Sequence, residues 1–148
     1  MVYGYTKRLD SAAASREETY MKVIYIAGPY RAPTAWGIAL NVRSAERVGL
    51  EVARAGAMPL IPHANTAHFH GECTDELWVD GTLEMLRRCD AAVFLPGWHH
   101  STGSCGEWAE CDRRHMPRLD LERDRLDWPE QKQAIGAFVR QLSKVGPV

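Results

Sequence analysis

Apolar and polar positions along this chain alternate between two rhythms. Lys22 to Gly28, "KVIYIAG", is a short β-branched and aromatic run that ends at Gly-Pro, the pattern of a buried strand. Ile38, Val42, Ala45, Val48, Gly49 and Val52 then recur at spacings of three and four, which predicts one apolar helix face closed by Gly56. "AMPLIP", Ala57 to Pro62, predicts a second strand, and its prolines point to a sheet edge or an early end. A polar, histidine-rich loop spans His63 to Asp75, and a helix is expected from Glu76 to Cys89, weakened in its first turn by Gly81. "DAAVFLPG", Asp90 to Gly97, gives the clearest strand of all.

Farther on, Trp108, Cys111 and His115 mark a helix from about Ser104 to His115. A weak strand signal covers Pro117 to Leu121. Asp127-Trp128-Pro129-Glu130 is a strong helix start: Asp can cap, Pro suits the first turn, and Glu falls three after the cap. Ile135, Phe138, Val139 and Leu142 supply that helix with its apolar face. The order β-α-β-α-β-α-β-α predicts an α/β fold, a parallel sheet covered on both faces. Met1 to Tyr20 is polar, lacks an apolar period, and reads as a flexible N-terminal extension; 21–148 read as a single domain.

Composition narrows the function classes. A length of 148 residues suggests one domain with a core of its own. The balance of 18 basic and 19 acidic residues, net charge −1, is not the footprint of a protein that binds DNA or RNA polymers. No apolar run is long enough to span a membrane. The four cysteines form no C-x-x-C pair, so free thiols in a reducing cytoplasm are expected.

In parallel α/β sheets, ligands bind beyond the carboxyl ends of the strands. That rule gathers three loops: Gly28 to Trp36, His63 to Asp75, and Pro96 to Gly106. In the first, Gly28 allows a tight turn or a close ligand, and Arg31 offers a planar cation suited to phosphate or carboxylate. The spacing is neither G-x-G-x-x-G nor a Walker P-loop. In the third, Ser101, Thr102, Gly103, Ser104 and Gly106 put small donors before a helix, where amide N–H groups attract anions. Glu107 is expected in the first helical turn, where the dipole favours the ionised carboxylate that a covalent glycosidase needs. Asp80 is a candidate second carboxylate, with a helix N-cap as its plainer reading. Tyr25 points to the sheet face opposite Ile24 and Ile26 and is either core or a crevice hydroxyl. His63, His68, His70 and Cys73 are residue types that suit zinc, but their spacing matches no standard site, and no metal or cofactor is expected.

"YIAGPYR", Asp80 and "CDAAVFLPGWHHSTGSCGEWAE" together resemble the nucleoside 2-deoxyribosyltransferase superfamily, which includes 2'-deoxynucleoside 5'-phosphate N-hydrolases. The likeness runs from Lys22 to about Met116 and is greatest to a smaller, phage-associated branch with a "PGW…S.G…E" loop. The resemblance implies a flavodoxin-like three-layer sandwich and cleavage of an N-glycosidic bond in a nucleotide or nucleoside. By the same likeness Glu107 is the nucleophile, Tyr25 its neighbour on the first strand, and Asp80 the group that holds the sugar or assists the base. Ser101 and Gly103 match the phosphate loop, and Gly28 and Arg31 the first loop that holds phosphate. His63 and Asn65, with Trp98 as a stacking surface, are expected to read the nucleobase. A cytoplasmic homodimer or higher homo-oligomer is implied. The leading expectation is hydrolysis of a (deoxy)nucleoside 5'-monophosphate. The alternatives are a deoxyribosyltransferase and a non-catalytic nucleotide-binding module.

Overall fold

The computed structural model describes residues 20–144. The expected N-terminal extension therefore lies outside the described residues, except for Tyr20. Four parallel strands, β1 (Val23–Ala27), β2 (Met58–Leu60), β3 (Ala91–Phe94) and β4 (Arg118–Asp120), form one sheet in the order β2-β1-β3-β4. The proline-containing β2 is an edge strand, where Pro59 need not donate to a second neighbour.

Strand alternation sorts the core into two halves. Ile24, Ile26, Ala91 and Val93 face one side, with Val48 and Val52 of α1 (Ala35–Arg54) and Ile135 and Val139 of α5 (Trp128–Lys144). Tyr25, Ala27, Ala92 and Phe94 face the other, with Leu86 of α3 (Asp75–Arg87) and Cys111 of α4 (Thr102–Arg114). The fold is thus a flavodoxin-like three-layer α/β sandwich, as the periodicity and the resemblance predict.

Local chemistry sets the helix boundaries. Thr34 and Thr74 cap α1 and α3 through their side chains. The Glu130 amide donates to the Asp127 carboxylate at 2.9 Å and the Asp127 amide to the Glu130 carboxylate at 2.8 Å, the capping box foreseen at the start of α5. Gly56, at φ +102°, ends α1 in the left-handed region. Two expectations need correction. The loop from His63 opens with a four-residue helix, α2 (Pro62–Asn65), because Pro62 presets its first turn. And α4 begins at Thr102, not near Ser104, because Ser101 serves as its cap.

The sheet order puts a topological switch between β1 and β3: the chain leaves β1 toward β2 on one side and returns to β3 on the other. Folds of this kind bind ligands in a crevice at that switch point, which here falls between the loop after β1 and the loop after β3. Among the described residues no helix is long and apolar enough to cross a membrane.

Candidate active site

Tyr25 stands on β1 and Glu107 on α4, and the two meet under the crevice. The Tyr25 hydroxyl donates to Glu107 Oε1 at 2.5 Å, within the charge-assisted range. Tyr25 is fully buried and Glu107 is 8% exposed. Burial pushes the Glu107 carboxyl up to about 7, partly opposed by the tyrosine bond. The same burial, with Glu107 beside it, pushes the Tyr25 hydroxyl far above its ordinary value, so it stays a donor.

This corrects the electrostatic expectation. Glu107 is the sixth residue of α4, in its second turn, and the first turn carries no acid. The dipole acts chiefly within the first turn, so desolvation decides the carboxyl's state. A group near 7 exists in both protonation states at neutral pH, which suits a carboxyl that must ionise to react.

The amino end of α4 matches the anion cradle in form. The Ser101 hydroxyl accepts from the Ser104 amide at 3.4 Å, and the Ser101 carbonyl accepts from the Cys105 amide. The Thr102 and Gly103 amides find no carbonyl partner among the described residues, as is usual for a first turn. A Cβ on Gly103 would meet nothing nearer than Ser101 Oγ at 4.0 Å, so the space beside the Gly103 Cα is open. Sequence reasoning missed Ser104 as a singled-out side chain. It is 2% exposed and its hydroxyl has no partner. The available signal was its place three residues before Glu107, on the same helix face.

The other candidates divide. Gly28 ends β1 with no positive φ. It is glycine because a Cβ there would stand 2.9 Å from Leu95 Cβ, so packing against the end of β3, not a tight turn, requires it. His63, 6% exposed, places Nε2 at 2.9 Å from the Gly28 carbonyl and 3.1 Å from that of Pro29. Two acceptors at one nitrogen fix the proton there. Burial lowers the ring's basicity, so His63 is neutral, and Nδ1 is left buried without a partner. Arg31 is exposed and pairs with Asp75 at 2.9 Å, tying the first loop to the start of α3.

Asp80 is not an N-cap, since Thr74 holds that place. It is exposed and makes no hydrogen bond among the described residues. It lies two positions from Thr82, whose hydroxyl is beside that of Tyr25, so the two point to different sides of α3. The Asp80 stripe continues to Arg87, which bonds Glu110 of α4 at 2.9 Å.

Trp98 is spent on protein contacts. It stacks on Trp108 at 4.4 Å, meets Phe94 edge-on, and donates Nε1–H to Asp120 at 3.0 Å. The stacking face expected for a base is thus occupied on one side. Asn65 is exposed and lines a groove of about 430 Å³ with Leu60 and Met85, beside the β2 edge. His63, His68, His70 and Cys73 do not converge as a metal site among the described residues. All four cysteines are free thiols.

A family model described as a domain of unknown function (DUF7768) matches residues 22–120, more than half of the chain and all four strands. No curated protein matches the chain. The match begins one residue before β1 and ends with the last residue of β4, so it takes in both members of the Tyr25–Glu107 pair.

Proposed function

The chain belongs to the DUF7768 family, and we propose that this member cleaves the N-glycosidic bond of a (deoxy)nucleoside 5'-monophosphate. The observation that carries the reading is the buried Tyr25–Glu107 pair, set one and a half helical turns from an open α4 amino end. The rise from Thr102 to Glu107 is about 7.5 Å, the order of span between a nucleotide's 5'-phosphate and its anomeric carbon. A phosphate on the Thr102 and Gly103 amides would therefore set that carbon near Glu107.

Ionised Glu107 attacks the anomeric carbon as the base departs, giving a glycosyl ester. Tyr25 holds the attacking carboxylate in place. Water then cleaves the ester, its hydroxyl going to the anomeric carbon of the sugar phosphate and its proton balancing the one the departing base takes up, so that Glu107 returns as the carboxylate. Exposed Asp80 and the bare His63 Nδ1 are the groups offered to hold sugar hydroxyls or base N–H donors. The reading also carries a homo-oligomer. Exposed Trp36, Leu40, Leu77 and Val79 lie in the first two turns of α1 and α3.

The test is chromatography of free base after incubation with nucleoside monophosphates, nucleosides and NAD, beside Glu107→Ala. Base release by wild type alone supports the reading and identifies the substrate class. Transfer of the sugar to an added second base would make it a transferase. Binding without release by either protein would overturn catalysis.

A further inference from the structure

A second constellation sits on the solvent side of the third loop. His99 Nδ1 lies 2.9 Å from Glu122 Oε2. The rings of His99 and His100 are 4.4 Å apart and inclined at 51°. One donor atom from each of His99, His100 and Glu122 falls within 4.8 Å of the others. We propose that these three side chains form a binding site for a divalent cation of the zinc class.

The donor set selects the ion class. Two imidazoles and one carboxylate suit zinc and its borderline neighbours, whereas magnesium and calcium favour all-oxygen shells. Around zinc at about 2.0–2.1 Å from each ligand, tetrahedral donors stand roughly 3.3 Å apart. One pair of donors stands at 2.9 Å and all lie within 4.8 Å of one another, so small side-chain rotations close the site. The His99–Glu122 hydrogen bond is exchanged for bonds to the ion.

The backbone around the site is fixed before any ion arrives. Asp120 Oδ1 accepts from both Trp98 Nε1 and the Glu122 amide, each at 3.0 Å, and so clamps the two contributing segments together. Glu122 Oε2 also accepts from the Gly97 amide at 2.8 Å. Gly97, at φ +85°, turns the chain into the single 3-10 turn Trp98–His100 that presents both histidines. Trp98 is braced on Trp108. An ordinary His–Glu contact would need only His99. The His100 side chain is exposed and makes no hydrogen bond among the described residues; its one ring contact is with His99, so its nitrogens are free to take an ion.

Three protein ligands leave at least one position of the ion open to water or to an anionic oxygen. His100 is followed directly by Ser101, the cap of α4. A cation here adds positive charge next to a helix start that already favours anions. The site is independent of the glycosidase reading and stands or falls by metal binding itself.

The test uses chelator-stripped full-length protein titrated with zinc by calorimetry and with cobalt(II) by visible absorption. The same titrations are run on His100→Ala, Glu122→Gln and the combined His68→Ala/His70→Ala/Cys73→Ser variant. His100→Ala removes an exposed ring and is expected to fold as wild type, checked by circular dichroism. The expected result is one zinc per chain, a cobalt band of low-coordinate type, and at least about tenfold weaker binding in His100→Ala. The combined loop variant should bind as wild type. No binding at micromolar protein, binding unchanged in His100→Ala, or binding lost only in the loop variant would overturn the assignment.

Discussion

Glu107 and Glu110 lie one turn apart on α4, both 8% exposed, and their carboxyls titrate at opposite ends of the range. Glu107 is pushed up to about 7, because burial is offset only by the Tyr25 hydroxyl. Glu110 is held down at about 2 by the guanidiniums of Arg113 and Arg87, which supply both its hydrogen bonds and its cover. One acid is hidden by core and the other by its counter-ions. Only the first can change charge near neutral pH, and it is the one under the crevice.

That difference predicts how stability varies with pH. The folded chain keeps a proton on Glu107 between about pH 4.5 and 7, where the unfolded chain has lost it. Stability therefore falls as pH rises through that window and levels off above it, a loss of at most about 3 kcal/mol. Glu107→Gln removes the penalty. Thermal melts should show the variant gaining over wild type at pH 8 and not at pH 4, and an equal difference at both would refute the assignment.

Tyr25→Phe keeps the ring in the core and deletes the donor. Since the Tyr25 bond lowers the Glu107 pKa, its loss should move the ascending limb of kcat/KM to a pH above about 7. A charge-assisted bond of about 1.5–3 kcal/mol predicts a drop in kcat/KM of roughly 10–100-fold. A pH–rate profile of both proteins checks this, and an unmoved limb would remove Glu107 from the rate-controlling ionisation.

Gly28→Ala should cost about 1–3 kcal/mol in urea unfolding. Its new methyl meets Leu95 Cβ at 2.9 Å, close to that residue's backbone, where no side-chain rotation relieves the clash. Gly103→Ala, with open space around it, should leave stability within about 1 kcal/mol of wild type. It should weaken nucleotide binding if a phosphate rests on the α4 amides.

Ser104→Ala separates folding from binding. The free protein buries the Ser104 hydroxyl without a partner, so removing it should leave stability unchanged or raise it by about 1 kcal/mol. If that hydroxyl meets a ligand, nucleotide affinity should fall by roughly tenfold, about 1.4 kcal/mol. Calorimetry of binding and a denaturant melt on the same sample distinguish the two effects.

Much of the fold could be read directly from the residues. The period-2 run of β1 and the period-3.6 face of α1 each report a local geometry, and the Asp127–Glu130 box reports a local hydrogen bond. Strands alternating with helices then leave few sheet orders open. The candidate site was partly visible for the same reason: Ser101 and Gly103 belong to a motif continuous in sequence. Its failures came from competing neighbours within one loop and helix. Thr74 took the cap that Asp80 was offered, and Trp108 covered a face of Trp98.

The sequence by itself determined the parallel α/β architecture, the Tyr25 face of β1 and the capping box of α5, because each depends on residues a few positions apart. Tertiary structure alone decided that Tyr25 and Glu107, 82 positions apart, share a hydrogen bond. It also decided that burial raises the Glu107 carboxyl to about 7 while arginines hold Glu110 ionised, and that Glu122 comes to lie against His99. The reason is physical: a carboxyl's state follows from the solvent and charges around it, and those arrive from other elements only when the chain packs.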